Sequence, residues 1–459
     1  MSRACIVILV ALWSLASPVA AETFSNRMSP STTNNDDSCD ITVAPAATLL
    51  LPFFDVDLTK PAGTGDTTLF TITNTASAPQ IAHVTIWTDW AYPLLTFNLF
   101  LTGYDVQAVN LYDVLVGGVV APGGQITRPG TFAGPGSQPG LDESNPNLYG
   151  GTAGSCPRPA LEPELVAALQ SALRFGLYNV GSTKCGFQRI GGTHTNMRGY
   201  VTIDVVANCS DLLPTNPAYY STQILFDNVL IGDYQQLRSS DPTLGSFAHA
   251  MPMVHIRAVP EGGPPGFVPP GTTNLPYTFY DRYTPSANRR MDRRIPLPST
   301  FAVRWIEQDN RTLSTWLQIW REGLTTGAQT NCSGAVKNLQ IPAAGSIRFD
   351  ERENSFKNEG SLRCGATCHL EFPTFPAAAL VNLDNGSSFP AHPGSTDVAG
   401  WLYLDLNSQS SPGSRPSQNW VTALMVAQGR YAAEFDAAQL GNGCTAAAAV
   451  PPRVGPAQR

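Results

Sequence analysis

Residues 67–114 contain a repeating pattern that limits the fold of this chain more than any other feature of its sequence. Apolar or β-branched side chains alternate with polar ones in the segments 69–72, 82–90 and 95–101, and turn-forming residues separate these segments. A period of two residues is typical of antiparallel strands with one buried face. Several such strands in succession predict a β-sandwich.

The composition of the chain supports an all-β fold. Only 14% of the 459 residues are charged, whereas Gly and Pro number 40 and 38. Abundant Gly and Pro suit a protein rich in turns and loops, and the length is sufficient for two or three domains. We therefore predict an all-β protein with two immunoglobulin-like β-sandwich domains, one helical insertion and long Gly/Pro-rich loops.

The first residues have the order of a secretory signal peptide. Arg3 precedes an apolar run over 4–15, and small residues follow up to Ala21. This order predicts a signal peptide over residues 1–21, and the polar segment 22–44 is expected to be a flexible leader. No later segment is apolar enough to cross a bilayer. We therefore expect a secreted or periplasmic protein without a membrane span.

The charge balance argues against nucleic acid and anionic lipid as partners. The chain carries 28 Lys and Arg against 35 Asp and Glu, which gives a net charge of −7. Binding to either polyanion requires a basic patch. The one dense basic group consists of Arg289, Arg290, Arg293 and Arg294, and we interpret it as part of a solvated linker.

Domain boundaries follow from changes in pattern and in Gly/Pro content along the chain. The predicted parts are a β-sandwich domain over 45–210, a connecting region over 211–298 with strands and a Pro/Gly-rich linker, a second β-sandwich domain over 299–445 and a disordered tail over 446–459. Within the first domain, leucines recur at every fourth residue from Leu161 to Leu173, Pro163 suits the first helical turn, and Gly176 suits a C-terminal cap. These signals predict the helical insertion over 161–175.

The cysteine content indicates disulfides. Eight cysteines remain after the signal peptide, and an even number in an exported protein favours disulfide bonds over thiol catalysis. Proximity in sequence suggests that Cys156 pairs with Cys185 or Cys209 and that the last four pair among themselves, but the sequence leaves the pairing open. The eight residues are Cys39, Cys156, Cys185, Cys209, Cys332, Cys364, Cys368 and Cys444.

Several segments of the mature chain are similar to known sequences when they are taken together. They are 199–206 (GYVTIDVV), 228–234 (NVLIGDY), 301–305 (FAVRW), 401–407 (WLYLDLN) and 418–444, which begins QNWVTALMVAQGRYAAEFD. They resemble a family of uncharacterised exported bacterial proteins. The resemblance implies an exported, β-rich bacterial protein and brings no activity, cofactor or catalytic residue.

One strand-like segment carries a possible set of metal ligands. His249, Met251, Met253 and His255 stand two apart, so a straight strand would place both imidazoles and both thioethers on one face. Thioether and imidazole ligands suit Cu(I). The alternative is a half-buried edge strand whose Met residues fill the core, and we favour it because no further ligand is visible. Periplasmic copper binding remains an alternative hypothesis.

Other short motifs match known chemistry less well. Cys364 and Cys368 precede His369, which resembles a site of covalent haem attachment, but three residues separate the cysteines where such sites have two. Acidic pairs occur at Asp55 with Asp57 and at Glu351 with Glu353, in places where loops or strand edges are expected. A glycosidase needs two carboxylates at a defined separation. No cofactor is predicted.

Aromatic side chains provide the last functional indication. Trp316 with Trp320, and Trp401 with Tyr403, stand four and two residues apart on predicted strands, so each pair shares a face. An exposed aromatic face binds sugar rings or a protein partner, whereas a strand that is apolar on both faces is more often buried.

The leading hypothesis is an exported, non-catalytic protein that acts in surface recognition or as a structural part of the cell envelope or extracellular space. It rests on the many strands, the long loops, the cysteines and the lack of a catalytic motif. Its partner would be a protein or a glycan. Besides copper binding, the other alternative is a carbohydrate-binding or polysaccharide-acting protein.

Overall fold

The computed structural model describes parts of the chain between residues 41 and 442. The described ranges are 41–118, 161–180, 183–185, 187–209, 212–214, 216–241, 245–258, 261–262, 292–307, 313–322, 332, 339–341, 345–357, 361–364, 368–371, 373–383, 389–390, 398–407, 417–427 and 431–442. The predicted signal peptide, most of the leader and the predicted tail lie outside these residues, as does most of the Gly/Pro-rich segment 117–154.

The N-terminal half of the described chain forms two antiparallel sheets. Sheet 1 has the strand order β11-β1-β8-β3-β4 and sheet 2 the order β10-β9-β2-β5, while β6 and β7 form a separate hairpin. Three helices accompany them: α1 (Leu111–Leu115), α2 (Pro163–Phe175) and α3 (Pro217–Thr222). The strands are β1 (Thr48–Val56), β2 (Thr67–Asn74), β3 (Gln80–Thr88), β4 (Pro93–Leu101), β5 (Val106–Asn110), β6 (Asn179–Val180), β7 (Thr183–Lys184), β8 (Met197–Val206), β9 (Leu230–Asp241), β10 (Gly245–Pro252) and β11 (Val254–Ile256).

The C-terminal half repeats this arrangement. Sheet 3 has the order β16-β15-β21-β12-β24 and sheet 4 the order β20-β13-β22-β23, and the pairs β14-β19 and β17-β18 stand apart. The strands are β12 (Pro298–Ile306), β13 (Leu313–Arg321), β14 (Leu339–Gln340), β15 (Ser346–Asp350), β16 (Ser355–Lys357), β17 (Ser361–Cys364), β18 (Cys368–Glu371), β19 (Thr374–Phe375), β20 (Ala378–Asn382), β21 (Ala399–Asp405), β22 (Asn419–Ala427), β23 (Tyr431–Asp436) and β24 (Ala438–Asn442). The prediction of an all-β fold is confirmed.

Each pair of sheets shares a hydrophobic core. Leu49 of β1 and Phe70 of β2 belong to one buried cluster that joins sheets 1 and 2. Val303 of β12 and Leu317 of β13 belong to another, which joins sheets 3 and 4. Each fully buried aliphatic or aromatic side chain stabilises the fold by about 1.5–3 kcal/mol. The alternation seen in the sequence therefore points one side chain of every two into these cores.

Sheet 1 is buried on both faces. Every residue of β1 is buried, and so is every residue of β3 after the first. The rings of Trp87 and Tyr200 stack at 5.5 Å on its outer face, and the rings of Tyr200 and Trp320, the latter from sheet 4, form a T-shaped pair at 5.8 Å. The prediction of one buried face therefore does not hold for β3, because the C-terminal half packs against the second face.

Sheets 2 and 4 also meet, through polar contacts. The side-chain amides of Gln236 and Gln318 donate to each other's carbonyl oxygens at 3.1 Å. Tyr234 donates its hydroxyl to a carboxylate oxygen of Glu434 at 3.1 Å. Because these side chains are largely buried, their hydrogen bonds fix how the two halves are aligned.

Helix α2 agrees with its prediction. It spans Pro163–Phe175, has Pro163 at its first position, and ends at Gly176, whose φ of 67° is the left-handed conformation that favours glycine. Leu169 and Leu173 are buried in the core of sheets 1 and 2. The leucine stripe thus packs on the N-terminal core.

Three strands of the predicted connecting region belong to the N-terminal sheets. Strand β9 pairs with β2 from Thr67 opposite Leu237 to Asn74 opposite Leu230. Strand β10 pairs with β9, and β11 pairs with β1. Sheets 1 and 2 therefore extend beyond the predicted boundary at residue 210.

Two of the four predicted linker arginines are buried, which corrects the interpretation of a solvated linker. Arg294 is fully buried and donates from Nε and Nη2 to the two carboxylate oxygens of Asp292, at 2.8 and 2.9 Å. Its Nη1 donates to Asp204 of β8 at 2.8 Å. Arg293 lies over the Phe226 ring at 4.1 Å. Arg289 and Arg290 lie outside the described residues.

The disulfide pairing also differs from the expectation from sequence proximity. Cys185, next to the β6–β7 hairpin, is bonded to Cys332, 147 residues later. This bond crosses from the first half to the second, because Cys332 packs against the N-terminal core. Cys209 is buried and disulfide-bonded, whereas Cys39, Cys156 and Cys444 lie outside the described residues.

Candidate binding cleft

A cleft of about 670 Å³ opens beside β12 and β21 in the C-terminal half. Its volume lies within the range of about 300–1,000 Å³ that is usual for small-molecule sites. Aromatic, cationic and acidic side chains line it together, which is the mixed chemistry of a binding site for a polar ligand. We name it the Trp401 cleft and define it by Arg304, Trp305, Asp350, Glu351, Glu353 and Trp401.

Trp401 is the aromatic platform of the cleft. Its Cα is paired with that of Phe349 across β21 and β15, and the two rings stack at 4.0 Å with an angle of 6° between their planes. Phe349 is buried, whereas Trp401 is only half-buried. The stack therefore holds the indole in a fixed orientation while part of its surface borders the cleft.

The wall behind Trp401 is rigid. The indole N–H of Trp305 donates to the carbonyl oxygen of Phe349 at 3.0 Å, and the guanidinium of Arg348 lies 3.8 Å from the centre of the Trp305 ring. Gly400 allows this close packing, since a Cβ there would lie 2.0 Å from the Phe349 carbonyl oxygen. A glycine is therefore required at the position just before Trp401.

Arg304 supplies the positive charge of the cleft. It lies directly opposite Trp401 in the β12–β21 pairing, and directly opposite residues project from the same face of a sheet. Arg304 is exposed. A ligand that contacts Trp401 therefore also meets hydrogen-bond donors of a guanidinium.

Asp350 organises an acidic turn at the rim. Burial opposes its ionisation, but hydrogen bonds from the Asn354 side chain and from the backbone N–H groups of Asn354 and Arg352 outweigh this and lower the pKa of Asp350. Glu351 and Glu353 follow on the same turn with exposed side chains. Glu353 has a φ of 62°, which is uncommon outside glycine. The turn thus presents carboxylates to the cleft.

Asp405 lies on β21, on the face that carries Trp401 and Tyr403. Burial raises the pKa of Asp405 to about 6, although the backbone N–H of Asn407 and the charge of Arg321 act in the opposite direction. Burial likewise raises the pKa of the Tyr403 hydroxyl. The sheet behind the cleft therefore holds an acid that is protonated more readily than usual.

Asp405→Asn tests this assignment through the pH dependence of stability. Because the pKa of Asp405 is higher in the folded state, folding favours the protonated acid, and its contribution is lost as the pH rises from about 4 to about 6. We therefore expect the difference in free energy of unfolding between Asp405→Asn and wild type to move in favour of the variant by about 1–3 kcal/mol when the pH rises from 4 to 7.5. Urea unfolding of both proteins at the two pH values measures this, and a difference that is independent of pH contradicts it.

The structure brings together some of the predicted residues. Glu351, Glu353 and Trp401 border one cleft, whereas Tyr403 is buried beside it. Of the other aromatic pair, Trp316 is half-buried on sheet 4 and Trp320 is buried between the two halves. The aromatic pairs thus contribute one side chain to the cleft.

The His/Met segment does not form one straight strand. His249 and Met251 lie on β10 of sheet 2, and His255 lies on β11 of sheet 1, because the chain crosses between the sheets at Met253. Met251 and Met253 are buried in the N-terminal core. The imidazole of His249 contacts the carboxylate of Glu434, and Nε2 of His255 accepts the N–H of Gly232 at 3.2 Å. The four side chains therefore have separate contacts within the protein.

The residues of the remaining motifs are parts of the fold. Asp55 is buried, and it bonds to Arg198 at 3.0 Å and to Arg238 at 3.3 Å. Burial opposes its ionisation, but these two charges prevail and lower its pKa. Cys364 and Cys368 are opposite each other in the β17–β18 hairpin. Within the described ranges, no group of three or more His, Cys, Asp and Glu side chains is arranged to hold a metal ion.

Sequence reasoning missed Arg304, Trp305 and Asp350 as cleft residues. The signal for Arg304 was its outward position on a strand, between apolar inward residues, but its neighbour across the sheet depends on the register with β21. The three residues therefore become a site only when the sheet order is known.

Comparison of the chain with protein-family models, curated proteins and solved structures found no match. None of the helices in the part of the chain that the structure describes has the length and hydrophobicity needed to cross a bilayer.

Proposed function

We propose that this chain is an exported, non-catalytic recognition protein that binds a saccharide in the Trp401 cleft. In this proposal the two sheet pairs are two immunoglobulin-like β-sandwich domains, and the protein is secreted or periplasmic. The observation that carries the proposal is the half-buried Trp401 ring, stacked at 4.0 Å on Phe349 inside a cleft with polar walls.

Saccharides fit this combination of groups better than wholly apolar ligands. The C–H face of a sugar ring packs on an indole, and its hydroxyls both donate and accept hydrogen bonds. Arg304 offers donors, while Glu351 and Glu353 offer acceptors at the rim. An apolar ligand would remove water from these charged groups without offering them hydrogen bonds, and this desolvation costs free energy.

Native gel electrophoresis in the presence of soluble polysaccharides tests the proposal. A panel should include neutral, acidic and amino-sugar polymers, and we expect at least one to slow the wild-type protein. Trp401→Ala should remove the retardation, because the platform is lost, and Trp401→Phe should retain part of it. Circular dichroism confirms that each variant is folded. Equal retardation of wild type and Trp401→Ala contradicts the proposal.

The same cleft offers a second test, against catalysis. Glu351 and Glu353 are exposed carboxylates beside the platform, and a glycosidase requires such a pair at a defined separation. We expect no release of reducing ends from the retarding polysaccharide. Release that disappears in Glu351→Gln or Glu353→Gln would replace binding by hydrolysis as the function.

A further inference from the structure

A second feature stands apart from the cleft, on the N-terminal half. Phe187, which follows the β6–β7 hairpin, is 102% exposed, and Phe175 at the end of α2 is 40% exposed. Single exposed aliphatic residues are common on proteins. Two exposed phenylalanines on segments whose backbones are hydrogen-bonded to each other leave an unusual amount of aromatic surface in water.

The sequence segment that carries these two rings has basic residues and no acidic ones. Residues 165–203 contain no Asp or Glu, although the chain as a whole is acidic, and they include Arg174, Lys184 and Arg189. Arg189 is exposed, and the guanidinium of Arg174 lies 4.8 Å from the centre of the Phe175 ring. The net charge of the whole chain, which argued against anionic lipid, therefore does not describe this region.

Acidic residues that other elements bring to this segment bond to His194 and Arg198. Asp89 bonds to His194 at 2.9 Å, and Asp55 bonds to Arg198 at 3.0 Å. Glu164 lies ten residues before Arg174 on α2, which at 1.5 Å per residue is a distance of about 15 Å. The two aspartates therefore pair with His194 and Arg198, whereas Arg174 and Arg189 are the cations next to the two rings in sequence.

Covalent and backbone bonds hold the two aromatic segments in place. Cys185, which lies two residues before Phe187, is bonded to Cys332. The N–H of Ile190 donates to the carbonyl oxygen of Gly176 at 2.8 Å, which joins the segment after Phe187 to the one after Phe175. A fixed surface loses less entropy on binding than a flexible loop would. We define the Phe187 surface as Arg174, Phe175, Phe187 and Arg189.

We propose that the Phe187 surface docks the protein on a lipid bilayer that contains anionic headgroups. Aromatic rings enter the headgroup region of a bilayer, and arginines beside them bind lipid phosphates, so one surface with both groups is complementary to such a membrane. The attachment is peripheral and does not use the Trp401 cleft. The proposed docking is therefore independent of saccharide binding.

Sedimentation with vesicles tests this docking. The full chain is mixed with vesicles of phosphatidylcholine alone, or with 30% phosphatidylglycerol (about one lipid in three), and bound protein is measured after centrifugation. We expect binding only to the anionic vesicles. Phe187→Ala should weaken it about tenfold, Arg189→Gln about fivefold, and high salt should weaken it further.

Matched controls distinguish binding through this surface from non-specific adsorption to vesicles. Leu237→Ala and Arg257→Gln change an exposed apolar residue and an exposed arginine elsewhere, and both should bind the anionic vesicles as the wild type does. Trp401→Ala should also bind them normally, which distinguishes docking from saccharide recognition. Thermal unfolding confirms that the variants are folded.

Two results overturn the proposal. One is binding to anionic vesicles that is absent or that survives both Phe187→Ala and Arg189→Gln. The other is retention on immobilised polyglutamate that Arg189→Gln abolishes, without any vesicle binding, because this would assign the surface to an acidic protein partner instead.

Discussion

Replacing Arg294 with Met is expected to lower the free energy of unfolding by about 3–5 kcal/mol. Arg294 is fully buried between Asp292 and Asp204, and its guanidinium donates to both carboxylates. Methionine fills a similar volume but leaves two buried negative charges without this counter-charge. Urea unfolding followed by tryptophan fluorescence at pH 7 measures the loss.

The neighbouring Arg257 provides the control. It is exposed, and its backbone carbonyl accepts the N–H of Ile295, so it lies close to Arg294 in the structure. Arg257→Met should change stability by less than about 0.5 kcal/mol. Arg294→Lys should fall between wild type and Arg294→Met, since a lysine keeps the charge but not the two-point contact with Asp292. Equal stability of Arg294→Met and Arg257→Met would contradict the assigned network.

Removing the Cys185–Cys332 disulfide is the second change with a large expected effect. The bond joins residues 147 apart and links the two halves. Loss of a native disulfide typically costs about 2–5 kcal/mol, because the unfolded chain gains conformational freedom. We expect Cys185→Ser with Cys332→Ser to lower the urea midpoint under non-reducing conditions.

A second cysteine pair gives a matched control. Cys364 and Cys368 are opposite each other in one hairpin, so a bond between them would close only a short loop. Cys364→Ser with Cys368→Ser should therefore lower stability less than the other double replacement. An unchanged midpoint for Cys185→Ser with Cys332→Ser would show that the bond does not restrain the unfolded chain.

The strands and α2 could be predicted because their signals are local. Alternation over 82–90 and 95–101 gave β3 and β4, and the leucine spacing with Pro163 and Gly176 gave α2. These patterns depend on which side of an element faces a core, and that information lies within a few residues of sequence.

Contacts over long distances could not be predicted in the same way. The burial of Arg294 depends on two carboxylates. Asp204 reaches it from β8, and Asp292 lies two residues before it in the chain. The partner of Cys185 depends on how the second half packs on the first. No local pattern records these arrangements, so an arginine-rich segment resembled a linker and sequence proximity suggested the wrong disulfide partner.

Only some residues of the candidate cleft could be identified from the sequence. Trp401 was recognised as a possible binding residue, and Glu351 with Glu353 as a pair of acids, but nothing in the sequence placed them together. The register of β21 against β12 and β15 does so, since it puts Arg304 and Phe349 on either side of Trp401.

Isothermal titration calorimetry tests saccharide binding at this cleft most directly. The ligand is an oligosaccharide of the polymer that retards the wild type, and the proteins are wild type, Trp401→Ala and Trp316→Ala, the last changing a half-buried tryptophan on sheet 4. We predict that Trp401→Ala weakens binding by about tenfold or more, while Trp316→Ala stays within about twofold of wild type. Equal affinities for wild type and Trp401→Ala would contradict saccharide binding at this cleft.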